Sequence, residues 1–409
     1  MTSALLRAFR PNPEISGLNW AYVLVGVADG TMLPFIPLYL LERGLSASLI
    51  GLVLAASASA SLGAGLAWSY LVDRRLKPER LVVFATMAAA AVALLMFPAA
   101  GAATLAVAIV VISLVRSPLI LLDPIALRKL RVTSRTDYAR IRLRMSAGWA
   151  ASSVASGALY QAVSMRLIPF VYAPLAAVVG LWVWRAIKPE PPAARATQDP
   201  SVRAPLHVRR IPVPMLGFLT SCLLLGVALA ATQNFLVLQI NVLGGGAFLV
   251  GAAAAFQALT EIPTMGYTHV LTRFLSHRVL FAIGCGIYLL TFVAWAFVSS
   301  ALIAALLKLV IGVGFALTLV SAVMIANELT PSHLRATGQA LTKSVMFGLA
   351  PIIGAFGGGV VYQTLGPRVM FLAATVLVAA AGVIAVIAVP APQKVGREEP
   401  VLATSPATP

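Results

Sequence analysis

Long apolar runs alternate with short polar connections along the whole chain. Twelve runs approach the roughly 20 residues that a helix needs to cross a bilayer. They cover 19–41, 49–71, 81–98, 103–122, 145–163, 168–187, 213–238, 249–271, 279–298, 301–326, 341–362 and 369–390. The pattern therefore predicts twelve membrane-spanning helices. Very short turns join the third run to the fourth and the ninth to the tenth, so a merged or shifted pair remains open there.

Basic residues sort with the connections. With the N-terminus inside, 24 of the 30 Lys and Arg fall in inside segments. Three fall outside (Arg43, Arg166 and Arg368), and Arg116, Lys308 and Lys343 lie within runs. Cytoplasmic segments carry the excess of positive charge. Both termini are accordingly expected in the cytoplasm of a multi-pass protein of the cell (inner or plasma) membrane.

Composition supports the same class. Hydrophobic residues make up 60% and charged ones 11% of the 409, against about 25% charged in soluble domains. A soluble fold would leave apolar side chains over its surface. The net charge of +17 would suggest nucleic acid in a soluble chain. Here the inside connections account for it, and nucleic acid is not an expected partner. Cys222 and Cys285 lie inside apolar runs, with no CxxC or Cys/His cluster. No metal site or cofactor is expected, and both cysteines read as small buried hydrophobes. The first 18 residues lack a cleavable signal pattern, so the first run reads as an uncleaved anchor.

The longest polar segment, 188–212, is rich in Pro, Ala and Arg and reads as a flexible cytoplasmic linker. It separates residues 1–187 from 213–390. The Pro-rich tail 391–409 reads as disordered. The two halves share spacing. Gly157, Tyr160, Gln161 and Arg166 in GALYQAVSMR match Gly359, Tyr362, Gln363 and Arg368 in GVVYQTLGPR, shifted by 202. SLIG ending at Gly51 matches FLVG ending at Gly251, shifted by 200. Two matches at nearly equal offset, placed correctly about the linker, imply a duplicated six-helix unit. The expected fold is an all-α membrane protein of two pseudo-symmetric six-helix bundles. Parallel repeats of this kind are a transporter architecture.

Over nearly all of 15–390 the chain resembles the Major Facilitator Superfamily. GLAWSYLVDRR (65–75) is similar to the family's signature between the second and third helices, with Asp73 and Arg74 in the gating positions. Ser69 and Leu76 stand where that signature has glycines. SPLILLD (117–123), YARIRLRMSAGW (138–149), EIP (261–263) and RATGQAL (335–341) resemble one branch, related to lactose permease, nucleoside–proton symporters and phenylpropionate permeases. Arg144 and Met145 replace a usual aromatic and glycine. The resemblance implies two bundles that rock about a central cavity lined by helices 1, 4, 7 and 10.

Charges inside the runs carry the candidate chemistry. Each costs roughly 2.5–3.5 kcal/mol at the bilayer centre and needs a partner or a wet cavity. At about 1.5 Å per residue, Asp29 and Glu261 both lie about 15 Å from the inner membrane edge, near the middle. Arg116 lies about 9 Å deep and Lys308 about 20 Å. The expectation is two near-midplane pairs, Asp29–Arg116 and Glu261–Lys308, one per half. Glu261 would then be a proton-titrating carboxylate tuned by burial and a nearby cation. Lactose permease also has an essential helix-8 glutamate, so the resemblance implies the same use. The alternative is mutual neutralisation that fixes helix packing. Arg116, before Pro118, would bind an anionic substrate group or snorkel.

Gln233, Asn234 and Gln239 offer hydrogen bonds to a polar substrate or mark a helix end. Tyr39 and Trp149 would stack on a ring, or serve as ordinary span-end aromatics. Lys343 reads as snorkelling, His269 as interfacial, and Gly354, Gly357 and Gly358 as close helix packing. No nucleophile–base motif, HExxH or nucleotide loop points to an enzyme. The expected protein is a monomeric secondary transporter that moves a small organic solute by alternating access, coupled to protons. An uncoupled facilitator and a drug or metabolite exporter of the same fold stay open.

Overall fold

Helix breakers shape the first span. Ser16–Met32 (α1) and Ile36–Glu42 (α2) are joined by a 3-10 turn at Leu33–Phe35. Pro34 and Pro37 lack the N–H groups that an unbroken helix would use there. The structure, a computed structural model, describes residues 16–74, 76–96, 101–130, 136–188, 211–331 and 334–390. Residues 189–210 of the linker, the C-terminal tail and residues 97–100 between the third and fourth runs lie outside them.

The first half continues with Ala47–Arg74 (α3), Pro78–Met96 (α4), Ala102–Arg116 (α5), Leu122–Leu130 (α6), Thr136–Ala162 (α7) and Ile168–Ala186 (α8). The second half holds Val213–Val242 (α9), Ala247–Leu271 (α10), His277–Phe297 (α11), Ala301–Leu306 (α12), Lys308–Leu329 (α13), Arg335–Lys343 (α14) and Ala350–Ala388 (α15). No strand occurs among the described residues.

Ten helical stretches there are long and apolar enough to cross a membrane, against twelve expected. Both differences have a physical origin. α7 starts at Thr136, nine residues before the expected run, and within that run it carries no charge but is only weakly apolar, since Ser146, Ser152, Ser153, Ser156 and Gln161 interrupt it. The last stretch, Thr337–Ala388, is continuous by hydrogen bonding but turns at Gly366, whose φ is +87°. That left-handed conformation suits glycine, and Pro367 follows it. The run expected at 301–326 is likewise broken, at Leu307, immediately before Lys308.

α1 packs on α7 and α8, α3 on α5, and α4 on α5 and α8. In the second half α9 packs on α15, α11 on α13 and α15, and α10 on α13. Two large contacts join the halves, α7 against α10 and α3 against α15.

The sequence repeats meet at these two contacts. Gln161 at the end of α7 accepts from the backbone N–H of Phe248 at the start of α10, at 2.9 Å. Gln363 in α15 accepts from the N–H of Ala47 at the start of α3, also at 2.9 Å. Each glutamine thus satisfies an N–H that the first turn of a helix leaves without an internal partner. The glycines allow the approach. A Cβ on Gly157 would come to 2.7 Å of the Ala247 carbonyl oxygen, and one on Gly359 to 2.7 Å of the Ala47 carbonyl oxygen. The tyrosines brace the joints. Tyr160 packs edge-on against Phe35 with ring centroids 5.1 Å apart, and Tyr362 stacks on Phe235 at 5.5 Å. Three positions of the duplicated pattern, Gly, Tyr and Gln, therefore build two equivalent clasps that tie the halves together at one face.

Removing a clasp has a graded outcome. Gln363→Ala should lower stability by about 1 kcal/mol. Gln161→Ala should lower it by less, since its bond lies in a more exposed position. Thermal unfolding in detergent checks the order; an unchanged Tm in both variants contradicts the clasp.

Candidate functional site

Close backbone approach brings polar residues of the two halves to one space. A Cβ on Gly26 would collide with the Met145 carbonyl, and one on Gly30 with the Trp149 carbonyl and Ser152 hydroxyl. Only glycine permits α1 to lie this close to α7. On the other side, a Cβ on Gly312 would collide with the Gln257 carbonyl and the Thr260 hydroxyl. α13 therefore lies tightly on α10, and Lys308, one turn before Gly312 on the same face, meets Gln257.

Between them is a cavity of about 440 Å³. The first half contributes Leu33, Pro34 and Pro37, and from α7 Arg142, Ser146 and Trp149. The second half contributes Gln233 and Asn234 from α9, Gln257 and Glu261 from α10, and Lys308 and Phe315 from α13. Most other lining groups are aliphatic, so a few polar side chains fix what fits.

Lys308 is 7% exposed. Its ammonium donates to the Gln233 Oε1 and, at 3.0 Å, to the Gln257 Oε1. Gln233 Nε2 donates to Gln257 Oε1 at 3.2 Å, which closes a three-membered network. The expected Glu261–Lys308 ion pair is not formed. Amides hold the lysine, because Gln257 lies one turn closer to it than Glu261 does. Glu261 makes no hydrogen bond or ion pair among the described residues. It faces the cavity within electrostatic reach of Arg142 and Lys308.

Asp29 and Arg116 are brought together. Arg116 Nη2 donates to Asp29 Oδ1 with both side chains almost buried, 13% and 11% exposed respectively. The guanidinium also faces the Tyr172 ring, 5.9 Å from its centroid. This pair lines a second cavity of about 300 Å³ with Tyr22 and Asp123. Arg142 lines both cavities and pairs with Asp123 at 3.5 Å. Tyr22 donates to the other Asp123 oxygen at 2.7 Å.

Other expected residues lie elsewhere. Tyr39 is buried away from both cavities, and its hydroxyl accepts from Arg43 at 3.0 Å. Gln239 accepts from Tyr362 at 3.2 Å in the clasp region. Asn234 lines the cavity but spends its amide N–H on its own helix, at the Ala230 carbonyl. Lys343 is exposed at the end of α14. Asp73 and Arg74 end α3, and their side chains, like that of His269, lie outside those described. Cys222 and Cys285 are free and buried, and no cluster of metal-ligating residues occurs among the described residues.

Reading the sequence missed Arg142 and Gln257. Arg142 lay among seven basic residues of an inside segment, with nothing in its spacing to set it apart. Gln257 did carry a signal, since it stands four residues before Glu261 in an otherwise apolar helix.

A helical membrane protein with a polar cavity between its two halves is the form of an MFS-like transporter. The chain belongs to the MFS_1 like family, which matches residues 17–373. Its fold is similar to crystal structures of the nucleoside transporter NupG. A single-residue mutant of that protein superposes with a TM-score of 0.77 at 18% identity, covering 92% of this chain and 99% of the other. NupG without that mutation gives a TM-score of 0.75 at 17% identity, with 92% and 98% covered. No curated protein sequence matches the chain.

The Asp29–Arg116 pair makes a sharp prediction. Asp29→Asn should cost about 3–5 kcal/mol by stranding a buried cation. The double variant Asp29→Asn/Arg116→Gln should recover most of the loss. Tm in detergent measures both, and a double variant no more stable than Asp29→Asn would show that the pair acts through something besides mutual neutralisation.

Proposed function

We propose that this protein is a proton-coupled secondary transporter for a small organic solute, working by alternating access in the cell membrane. One observation carries the reading: Glu261, a carboxylate without a hydrogen bond or ion pair among the described residues, stands on the wall of a cavity shared by both halves. A titratable group inside a span costs enough that it marks ion or proton pathways by default. Glu261 is surrounded by solute-sized space and by two cations within electrostatic reach. Proton uptake there changes the charge of the cavity wall, which gives the proton a differential effect on the states of the protein.

In this reading twelve spans form two six-helix bundles, residues 1–187 and 213–390, joined by the 188–212 linker. α7 supplies the fifth span, and the break at Gly366 separates the eleventh from the twelfth. Both termini are cytoplasmic, on the strength of the Lys and Arg distribution. The clasped face is then the outer one, and the cavity is reached from the cytoplasm. Opening the two clasps while closing the inner ends would expose the same residues to the other side. A single chain supplies both halves, so a monomer suffices. Arg142, held by Asp123, and the Lys308–glutamine network orient the solute. Asp73 and Arg74 belong to the inner gate by their place in the signature.

The test is pH change in lightly buffered proteoliposomes on adding a solute panel that begins with nucleosides, the solutes named for the structural neighbours. Wild-type protein should move protons with one class of solute, and Glu261→Gln should abolish that movement while keeping solute binding. Undiminished proton movement in Glu261→Gln would remove Glu261 from the mechanism. Solute flux without proton movement in the wild type would make the protein a facilitator.

A further inference from the structure

Lys308 is a buried cation that no carboxylate contacts among the described residues. It donates to two glutamine oxygens, and among the described residues no carboxylate lies within 4.0 Å of its ammonium. The other buried cation facing a cavity, Arg116, is directly paired with Asp29. The two halves therefore differ: one buried cation is directly paired with a carboxylate and one is not. Neutral amides solvate an ammonium but leave its charge uncompensated, and an isolated buried charge is expensive.

An ammonium has three donors. Two serve Gln233 and Gln257, and Lys308 also lines the cavity, so one donor remains for a ligand. The amides brace the side chain from two different helices. That pre-organisation lowers the ordering cost of binding. Elsewhere on the wall, Arg142 is positive and half-exposed, with Asp123 beyond it at 3.5 Å. Glu261 is the one acidic group lining this cavity among the described residues. Once it takes up a proton, the wall carries positive charge alone.

We propose that Lys308 is the anion-binding residue of the cavity and that the transported solute is a small organic monocarboxylate. This rests on the transporter reading above and gives its solute a chemical class. The carboxylate accepts a charge-assisted hydrogen bond from Lys308, and the remainder of the solute lies along Trp149 and the aliphatic wall. A cavity of about 440 Å³ falls within the usual range for small-molecule sites. With the proton on Glu261, one proton and one monoanion cross together, so a transport cycle carries no net charge.

Matched acid–amide pairs isolate the charge. The probes are nicotinate with nicotinamide, benzoate with benzamide, and hexanoate with hexanamide, with uridine as a neutral ring-bearing control. Binding is followed by thermal shift and by calorimetry on the purified full chain. At least one acid should bind about tenfold or more tightly than its amide, the scale of one charge-assisted hydrogen bond. Lys308→Gln should reduce that ratio to about one while amide affinity stays near its wild-type value. Lys308→Arg should keep a preference for the acid. A lysine with only a packing role would lose acid and amide affinity together in Lys308→Gln, and that result would overturn the proposal. So would amides that bind as well as acids, or a panel in which no acid binds.

The two readings fail separately. Glu261-dependent proton movement with uridine and none with acids keeps the transporter and removes the anion site. Lys308-dependent acid binding without Glu261-dependent proton movement keeps the anion site and removes the coupling.

Discussion

A polar group inside a bilayer has no bulk water to fall back on, and the rest of this structure follows from that constraint. Backbone groups meet it by forming helices. Where helices start or cross, side chains supply further bonds. Thr260 donates to the Leu309 carbonyl at 2.6 Å, beside the break before Lys308. Gln161 and Gln363 cap the starts of α10 and α3. Charged side chains meet the same demand in three ways. Asp29 and Arg116 neutralise each other, Lys308 is solvated by two amides, and Glu261 faces a cavity. Only the first is self-contained; the other two leave a donor and an acceptor available.

That asymmetry between the halves is where the chemistry lies. The duplicated pattern is retained where both halves need the same mechanics, at the clasps. It has diverged in the cavity wall. The first half keeps a closed ion pair braced by Tyr172, while the second half spreads its charges over α10 and α13 with amides between them. Arg142 is placed to connect the two regions, since it borders both cavities and holds Asp123.

Much of the fold was legible from hydropathy alone, because the length of an apolar run is fixed by the thickness of the bilayer. The limits of α7 were not, since its first turns are helical but charged. The breaks at Leu307 and Gly366 were hidden too, because a kinked helix keeps the composition of a straight one. Within the cavity, Glu261, Lys308, Gln233, Asn234 and Trp149 were all flagged by their chemistry in an apolar context. Their partners were not. Depth along a helix fixes height in the membrane but not direction around the axis, so Asp29 meets Arg116 while Lys308 meets amides. Tyr39 shows a related limit: an aromatic flagged for stacking lies at the outer end of its run and faces Arg43 instead of the cavity.

The central claim is that Glu261 changes its protonation during turnover. Infrared difference spectroscopy on protein in lipid reads this directly from the carboxyl stretch, assigned by its loss in Glu261→Gln. Addition of a transported solute should shift that band between its protonated and ionised positions, with the size of the shift following solute occupancy. A Glu261 band that stays in one state while the solute binds and is transported would contradict the account.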